Sequence, residues 1–506
     1  MPMKVIVGLL LMLQAGTLMC RGAQWFVATN GTGNGSFSSP WALQTAMAST
    51  AIRGGDTVWL RGGIYTPPAD STNQPWSRYL NYGHPGWGLT VGGTGTNRIT
   101  YRSYTSEWAA IDCPILMPDS ICFRDLEFFD SLKGIRNTND PADWNYVYTH
   151  FIQNGTNNQW INCLIHDIDD GGFGGQAHGA NTLRGCILWY IGWNYREHVF
   201  YPMVAEFSGS IMAWPLNRTL NNSISDFICN SNIIFGSGAQ WSAGTAGPER
   251  SQDLAPGGNR GTIIGNVVIG TYQSLCGGFT AGSVVSSNIF TSPDTPVYAS
   301  FTSNSVFSYN TLFDSKTNSN VVMGYSGGLS NAMDYNSYCG FTNANYANLR
   351  FIDLSTQRYT DLAGWQTNYG FDLHSTANLG KPPDTVRVMV NADEPKRAHI
   401  AVCNWSRQDN ASVSLAGVLS RGDTYRLFSA QNYKAGPIQT GTYNGSSISV
   451  PMTNLTVVPM IYGTNLNMQL EILSTPPLVS PEFGAFVVIG EGTLTPATGL
   501  HVIPAN

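Results

Sequence analysis

Charge is what this chain has least of. Of its 506 residues only 26 are Lys or Arg and 32 are Asp or Glu, so 11% carry charge and the net balance is −6. Such a surface has nothing with which to hold a phosphate backbone or an anionic bilayer, which excludes nucleic-acid partners on electrostatic grounds. The same scarcity argues against a helical protein, which would need far more Glu, Lys and Leu. Long apolar runs are missing too. Beyond the first 22 residues none approaches the ~20 residues that cross a bilayer, so no transmembrane segment is expected in the mature chain. Lysine is absent from the whole span between Lys133 and Lys316. What the chain has in quantity is glycine, 55 residues of it, together with Asn, Ser and Thr. Polar, uncharged turns joining short strands produce that balance.

A short phrase returns through the middle of the chain. It reads INCLIHD at Ile161, RGCILWY at Arg184, SNIIFGS at Ser231, GNVVIGT at Gly265, SNIFTS at Ser287, YNTLFDS at Tyr309 and YNSYCGF at Tyr335. Anchored on Asn162, Gly185, Asn232, Asn266, Asn288, Asn310 and Asn336, the copies step by 23, 47, 34, 22, 22 and 26 residues. The step of 47 is read as two turns, the middle one passing through GSIMAW at Gly209. Periods of this length mean a solenoid. Two residues past each anchor stands an apolar or aromatic side chain: Leu164, Ile187, Ile234, Val268, Phe290, Leu312 and Tyr338. Runs of three or four apolar residues suit buried strands and are too short for helices. The expected architecture is therefore all-β: a single-stranded right-handed parallel β-helix, each coil adding about 4.8 Å of height, with that column as a continuous inward stack. Cys163 and Cys186 share a column and would stack as small buried side chains. Cys113 and Cys122 flank a short loop and could pair as a disulfide, although spacing does not fix pairing.

Residues 1–22 read as a signal peptide, with Lys4 ahead of the apolar core Val5 to Leu13, which places the mature protein in the periplasm or outside the cell. Trp25 to Ala28 is expected as a strand and Trp41 to Ala51 as a capping helix, with Pro40 at its first position and Leu43, Ala46 and Met47 on one face. A solenoid end exposes its core, so a cap belongs here. After Pro382-Pro383 the pattern alternates with period two at Val386, Val388 and Val390, at Ile400 and Val402, and on to Phe486. That predicts an antiparallel β-sandwich over 384–490 after a helix unit over 23–380, leaving 491–506 as a tail. The sandwich is expected to close the open end of the solenoid.

The runs FVATNGTG, PWALQTAMA and GGDTVWLRGGIY, with NRITYRSYTSEWAAID, DYNSY and LAGWQTNYGFDLHS further on, resemble secreted bacterial proteins of the pectate-lyase-like right-handed β-helix superfamily. The resemblance covers about Trp25 to Ser375. It implies the fold and a carbohydrate-active context, and leaves the reaction open, since that superfamily holds lyases, hydrolases, epimerases and non-catalytic adhesins.

Functional side chains are sought where the fold does not require them. Four of the eight histidines, His150, His166, His178 and His198, fall in one window with Asp167, Asp169, Asp170, Arg196 and Glu197. The catalytic candidates are His166, Asp169, Asp170, Arg196 and His198, with Trp193, Tyr195, Glu197 and His178 as substrate contacts. Three chemistries fit. In an elimination, Arg196 would neutralise a uronate carboxylate while His198 or His166 takes the adjacent proton. In a hydrolysis, Asp169 or Asp170 with Glu197 would supply two carboxylates about 5–9.5 Å apart. The third is binding without catalysis, by a carbohydrate-binding or cell-surface protein. Elimination of an acidic polysaccharide is placed first. The next-densest cluster is Glu249, Arg250, Asp253 and Arg260 in the long stretch from Gly236 to Arg260. DIDDGG at Asp167 opens like a calcium loop, but Gly171 stands at the third ligand and His178 replaces the closing Glu, so calcium stays an open alternative. Gly324 to Gly328 matches the GxSxG pattern without the helix that a nucleophile elbow needs.

Overall fold

The structure, a computed structural model, describes residues 22–68, 86–105, 107–113, 115–131, 152–153, 155–168, 173–174, 180–191, 226–235, 252–254, 257–258, 260–269, 273–292, 295–315, 321–341, 347–458 and 480–491. The chain winds through three parallel faces. The first sheet has eleven strands from Gln24–Val27 to Ala332–Asp334, and the second has eleven from Gly63–Tyr65 to Thr376–Leu379. A four-stranded and a seven-stranded sheet share the third face. Each return to a parallel neighbour passes through the other two faces, and crossovers of that kind are right-handed.

The inward column of the second sheet is Ile165, Leu188, Ile234, Val268, Phe290, Leu312 and Tyr338, in register coil over coil and fully buried. Leu164 and Ile187, expected in that stack, pair instead with Ile233, Val267 and Ile289 on the outer face. The sequence alignment had slipped by one residue at those two coils, and a one-residue slip sends every side chain to the opposite face of a strand. The step of 47 is also a single coil, because Ile187–Ile191 pairs directly with Ile233–Phe235. Residues 192–225, with Gly209, lie outside the described residues.

In the eight coils from Asp125 to Tyr335 the chain turns between first and second sheets in two residues. The first holds a left-handed backbone: φ is 56° at Asp125, 59° at Asn162, 60° at Gly185, 56° at Ser231, 70° at Gly265, 59° at Ser287, 58° at Tyr309 and 59° at Tyr335. The second is the buried asparagine. Asn266 donates its backbone N–H and its Nδ2 to Oδ1 of Asn288, both at 2.9 Å, and Asn288 repeats the pattern toward Asn310 at 3.0 and 2.9 Å. Each Nδ2 also donates to a first-sheet carbonyl, as Asn288 does to Ile263 at 2.9 Å. Asp372 closes the ladder, accepting from Asn336, Ser375, Tyr338 and Trp365. Burial outweighs those bonds and holds its carboxyl above the ordinary carboxylate range. In the earlier coils Cys163 and Cys186 occupy the ladder position, stacked as expected.

The N-terminal end is covered by the anticipated helix in shortened form, and the C-terminal end and the flank by elements other than those anticipated. At the N-terminal end the helix is Leu43–Ala48, with Leu43, Ala46 and Met47 buried. It starts after Trp41, which bridges to Val27 and so is held in the sheet. At the other end the cap is the helix Leu362–Tyr369, closed by Asp361 at its N-cap and left-handed Gly370, with Trp365 driven into the core. The C-terminal strands do not cap that end. They form a five-stranded antiparallel sheet running from Thr385–Val390 to Gln439–Thr442 in spatial order, with a second, two-stranded sheet packed on one face. The other face, through Ala401, Cys403, Phe428, Phe483 and Val487, lies along the flank of the helix against Leu164, Ile187, Ile233, Val267 and Ile289. That is why the outer column of the second sheet is apolar, and why Arg397–Cys403 is buried on both faces. Cys113 and Cys122 are both buried and free, so the disulfide is not formed. Gly324 to Gly327 lies within the strand Val321–Gly327, where Tyr325 is buried and no nucleophile elbow exists.

Two substitutions test this core. Ile234→Asp buries an unpaired charge and is expected to cost more than about 3 kcal/mol. Asn288→Ala strips the acceptor from two buried donors of Asn266 and is expected to cost about 2–4 kcal/mol. Chemical denaturation followed by far-ultraviolet circular dichroism measures both. Native-like stability of Ile234→Asp would contradict the inward stack.

Candidate functional site

The described chain breaks off at Ser131, Ile168, Ile191 and Phe235, each just after a second-sheet strand. All but one of the catalytic and binding candidates follow those points in sequence. Asp169, Asp170, His178, Trp193, Tyr195, Arg196, Glu197 and His198 lie outside the described residues, as do His150, Glu249 and Arg250. Asp253 is on the short strand Gln252–Leu254, and Arg260 is exposed, paired with Asp226 at 2.7 Å.

His166 is described, on the strand Leu164–Ile168. Alternation turns Ile165 into the core and His166 outward, into a stack along the helix axis. Its ring lies 5.6 Å from Phe129 at 19° and 4.2 Å from Trp189 at 12°, and Trp189 continues to Phe235 and so to Phe483 of the docked sheet. Both nitrogens are committed: Nδ1 to Asp167 Oδ2 at 2.6 Å and Nε2 to Glu127 Oε1 at 3.0 Å. Glu127 is fixed in turn by the indole of Trp108, which donates to Oε2 at 2.6 Å. Burial disfavours the imidazolium, yet the hydrogen bonds and charges of Asp167 and Glu127 outweigh it and lift the pKa to about 9. At neutral pH His166 is thus a cation held between two carboxylates. With both nitrogens bonded to carboxylates, neither is free to take a substrate proton in this arrangement. Sequence spacing could not show this, because Glu127 stands 39 residues away.

Beside it, Asp112, Cys113 and Asp130 bring one ligand atom each within 4.8 Å of one another, all buried. Asp112 already accepts from the backbone and hydroxyl of Ser131 at 2.8 and 2.6 Å. Burial pushes the Cys113 thiol far up, with Asp130 and Asp112 adding to it. A protonated thiol and two carboxylates are a poor donor set for calcium, which takes six to eight oxygens. The docked sheet closes the flank with charge as well as apolar area. Arg397, nearly buried, reaches Asp125 at 3.1 Å, Arg184 reaches Asp393 at 2.7 Å, and Gln431 donates to the Tyr190 hydroxyl at 3.0 Å. Despite its burial, the first factor acting on it, Asp125 is held below the usual carboxylate range by Arg397, Arg102 and Arg124.

In fold, the chain is a right-handed parallel β-helix. No family model matches it, and no curated protein matches it in sequence. Solved structures with a similar course include a GH136 lacto-N-biosidase from Eubacterium ramulus, at 9% identity and a TM-score of 0.39 over 66% of this chain and 67% of that one. A rhamnogalacturonan lyase gives 13% and 0.33 over 64% and 83%, and the pectate lyase Pel9A gives 15% and 0.34 over 63% and 77%. These likenesses are slight, and the fold rests on the register of the coils. Among the described residues no helix is long and apolar enough to cross a membrane.

The His166 arrangement predicts a pH signature. Its folded pKa of about 9 lies above the ordinary 6.5, so its contribution to stability is full below about 6.5 and is lost as pH rises through 9. His166→Gln is expected to destabilise by ~1–3 kcal/mol at pH 6 and by little at pH 10. Unfolding midpoints of both proteins across that range check it, and an imidazole titrating near 6.5 by NMR would contradict it.

Proposed function

We propose that this chain is an exported, carbohydrate-active β-helix protein that cleaves an acidic polysaccharide, by elimination ahead of hydrolysis. The observation that supports the reading is clustering along the sequence: in a chain only 11% charged, the densest group of acids, bases and one arginine begins at the strands Leu164–Ile168 and Ile187–Ile191 of consecutive coils. Loops on one edge of a rigid scaffold are where such chemistry is placed. Arg196 neutralises the uronate carboxylate, and His198 removes the proton, since His166 is occupied. Trp193 and Tyr195 offer ring faces to the sugar, with Glu197 and His178 as further contacts. Asp169 and Asp170 act as acids in the hydrolytic version. The helix unit 23–380 carries this site, and the unit 384–490 clamps the flank that the site does not use. Export rests on the leader-like character of residues 1–22.

The test is a panel of soluble acidic and neutral polysaccharides, followed by ultraviolet absorbance for unsaturated products and by reducing ends. Elimination raises both signals, and hydrolysis raises only the second. Arg196→Ala is expected to lower kcat/KM on the best substrate by at least about a hundredfold, the scale of one removed electrostatic contact in a transition state. Unchanged turnover in that variant removes the assignment, and silence across the panel favours binding without catalysis.

A further inference from the structure

The turn between the first and second sheets carries a feature that neither the fold nor the proposed reaction uses. Its left-handed position is filled by Asn, Gly or Ser in five successive coils, at Asn162, Gly185, Ser231, Gly265 and Ser287, and then by Tyr309 and Tyr335. A bulky side chain at φ 58–59° is an uncommon choice where glycine sits without strain. Burial does not explain it, because Tyr309 is 58% and Tyr335 48% exposed. The two rings stack at 5.0 Å and 5°, and His374 continues the stack at 4.9 Å and 7°. Asp334 braces it, bonding His374 Nδ1 at 2.6 Å and accepting from the backbone N–H groups of His374 at 2.7 Å and Tyr335 at 2.9 Å.

The column ends in a step. Below Tyr309 the next coil presents only Ser287, so among the described residues no ring covers the second face of Tyr309. Hydroxyls line the step: Ser286 Oγ lies 3.4 Å from both Ser287 Oγ and Ser308 Oγ. The turn triplets on these coils, Gly265 with its neighbours, Ser286-Ser287-Asn288, Ser308-Tyr309-Asn310 and Asp334-Tyr335-Asn336, bring no Lys or Arg.

We propose that this step is a glycan-binding site, distinct from the reaction edge, at which an uncharged sugar ring stacks on the open face of Tyr309 and bonds the hydroxyls of Ser286, Ser287 and Ser308. A pyranose offers a flat face of C–H groups suited to the negative face of an aromatic ring, and its hydroxyls match a row of serines. The lack of a cation on these triplets sets the class: among the described turn residues a uronate carboxylate finds no partner. The rigid ladder behind Tyr309 holds the ring in place before binding, so little side-chain freedom is lost. Tyr309 follows a first-sheet strand, whereas the catalytic candidates follow second-sheet strands. The site therefore holds a polymer without taking part in its cleavage.

The experiment is native gel electrophoresis of the full chain through glucomannan, xyloglucan or galactan, with polygalacturonate as the acidic control. Retardation by at least one uncharged polymer is expected. Tyr309→Ala should weaken it about tenfold, the effect of losing one contact of ~1.4 kcal/mol, while Tyr309→Trp keeps it. Turnover of short soluble oligosaccharides should be unchanged in Tyr309→Ala, so failure of the catalytic reading and failure of this site appear in different assays. An unretarded wild type, retardation only by polygalacturonate, or equal retardation of Tyr309→Ala overturns the proposal. So does a dimer in light scattering that Tyr309→Ala dissolves, which would make the ladder a contact between two copies.

Discussion

The buried asparagine in each short turn is the constraint from which the rest of the coil follows. A two-residue corner leaves a backbone N–H inside the protein, and a buried donor must be paired. Asn266, Asn288 and Asn310 pair it with the amide of the next coil, and their own amides reach back to first-sheet carbonyls. One side chain thereby fixes the height, the corner and the register of two sheets. The left-handed residue before it is the geometric condition for that corner. Where the ladder lacks asparagine, at Cys163 and Cys186, thiols are weak partners. Those are also the coils that the C-terminal sheet grips, through Arg397 to Asp125 and the Asn162 carbonyl, and Arg184 to Asp393. External ion pairs hold the helix where its internal ladder is poorest.

Much of the fold was legible because that constraint is written in residue type. Asn recurs at the ladder, apolar residues recur beside it, and Gly and Pro mark the change of pattern near 380. The register was misread at two coils for a physical reason. Asn162 occupies the left-handed position that Asn also favours, and the adjacent ladder position holds Cys163, so the two roles of one residue type were confused. The flank docking was invisible, since Leu164 and Ile187 look alike whether they face the core or a partner sheet. The C-terminal cap was half visible: LAGWQTNYGFDLHS contributes to the family resemblance, but nothing in the run announces the burial of Trp365.

Less of the site could be read. Clustering of charge along the sequence picked out a window of which the described residues include only His166 and Asp167. Sequence could not foresee that His166 would be enclosed by Glu127 and Asp167 and stacked between Phe129 and Trp189. A histidine inside an aromatic stack, with both nitrogens bonded to carboxylates, braces the coils that it joins. The helix thus has one flank sealed by the docked sheet and a corner ending in a step of exposed tyrosines.

The two kinds of contact differ greatly in how far apart along the chain they begin. Ladder bonds join residues 22 to 46 apart, whereas the bond from Arg397 to Asp125 joins residues 272 apart and that from Arg184 to Asp393 joins residues 209 apart. Closing a loop costs entropy that grows with its length, and distant contacts repay it only after local ones exist. The coils can therefore assemble on one another as the chain emerges, while the flank with Leu164, Ile187 and Ile233 stays uncovered until the last hundred residues have been made. During that interval the protein displays a greasy stripe along its side. Exposed apolar surface of that kind is prone to association with other chains until the last sheet covers it.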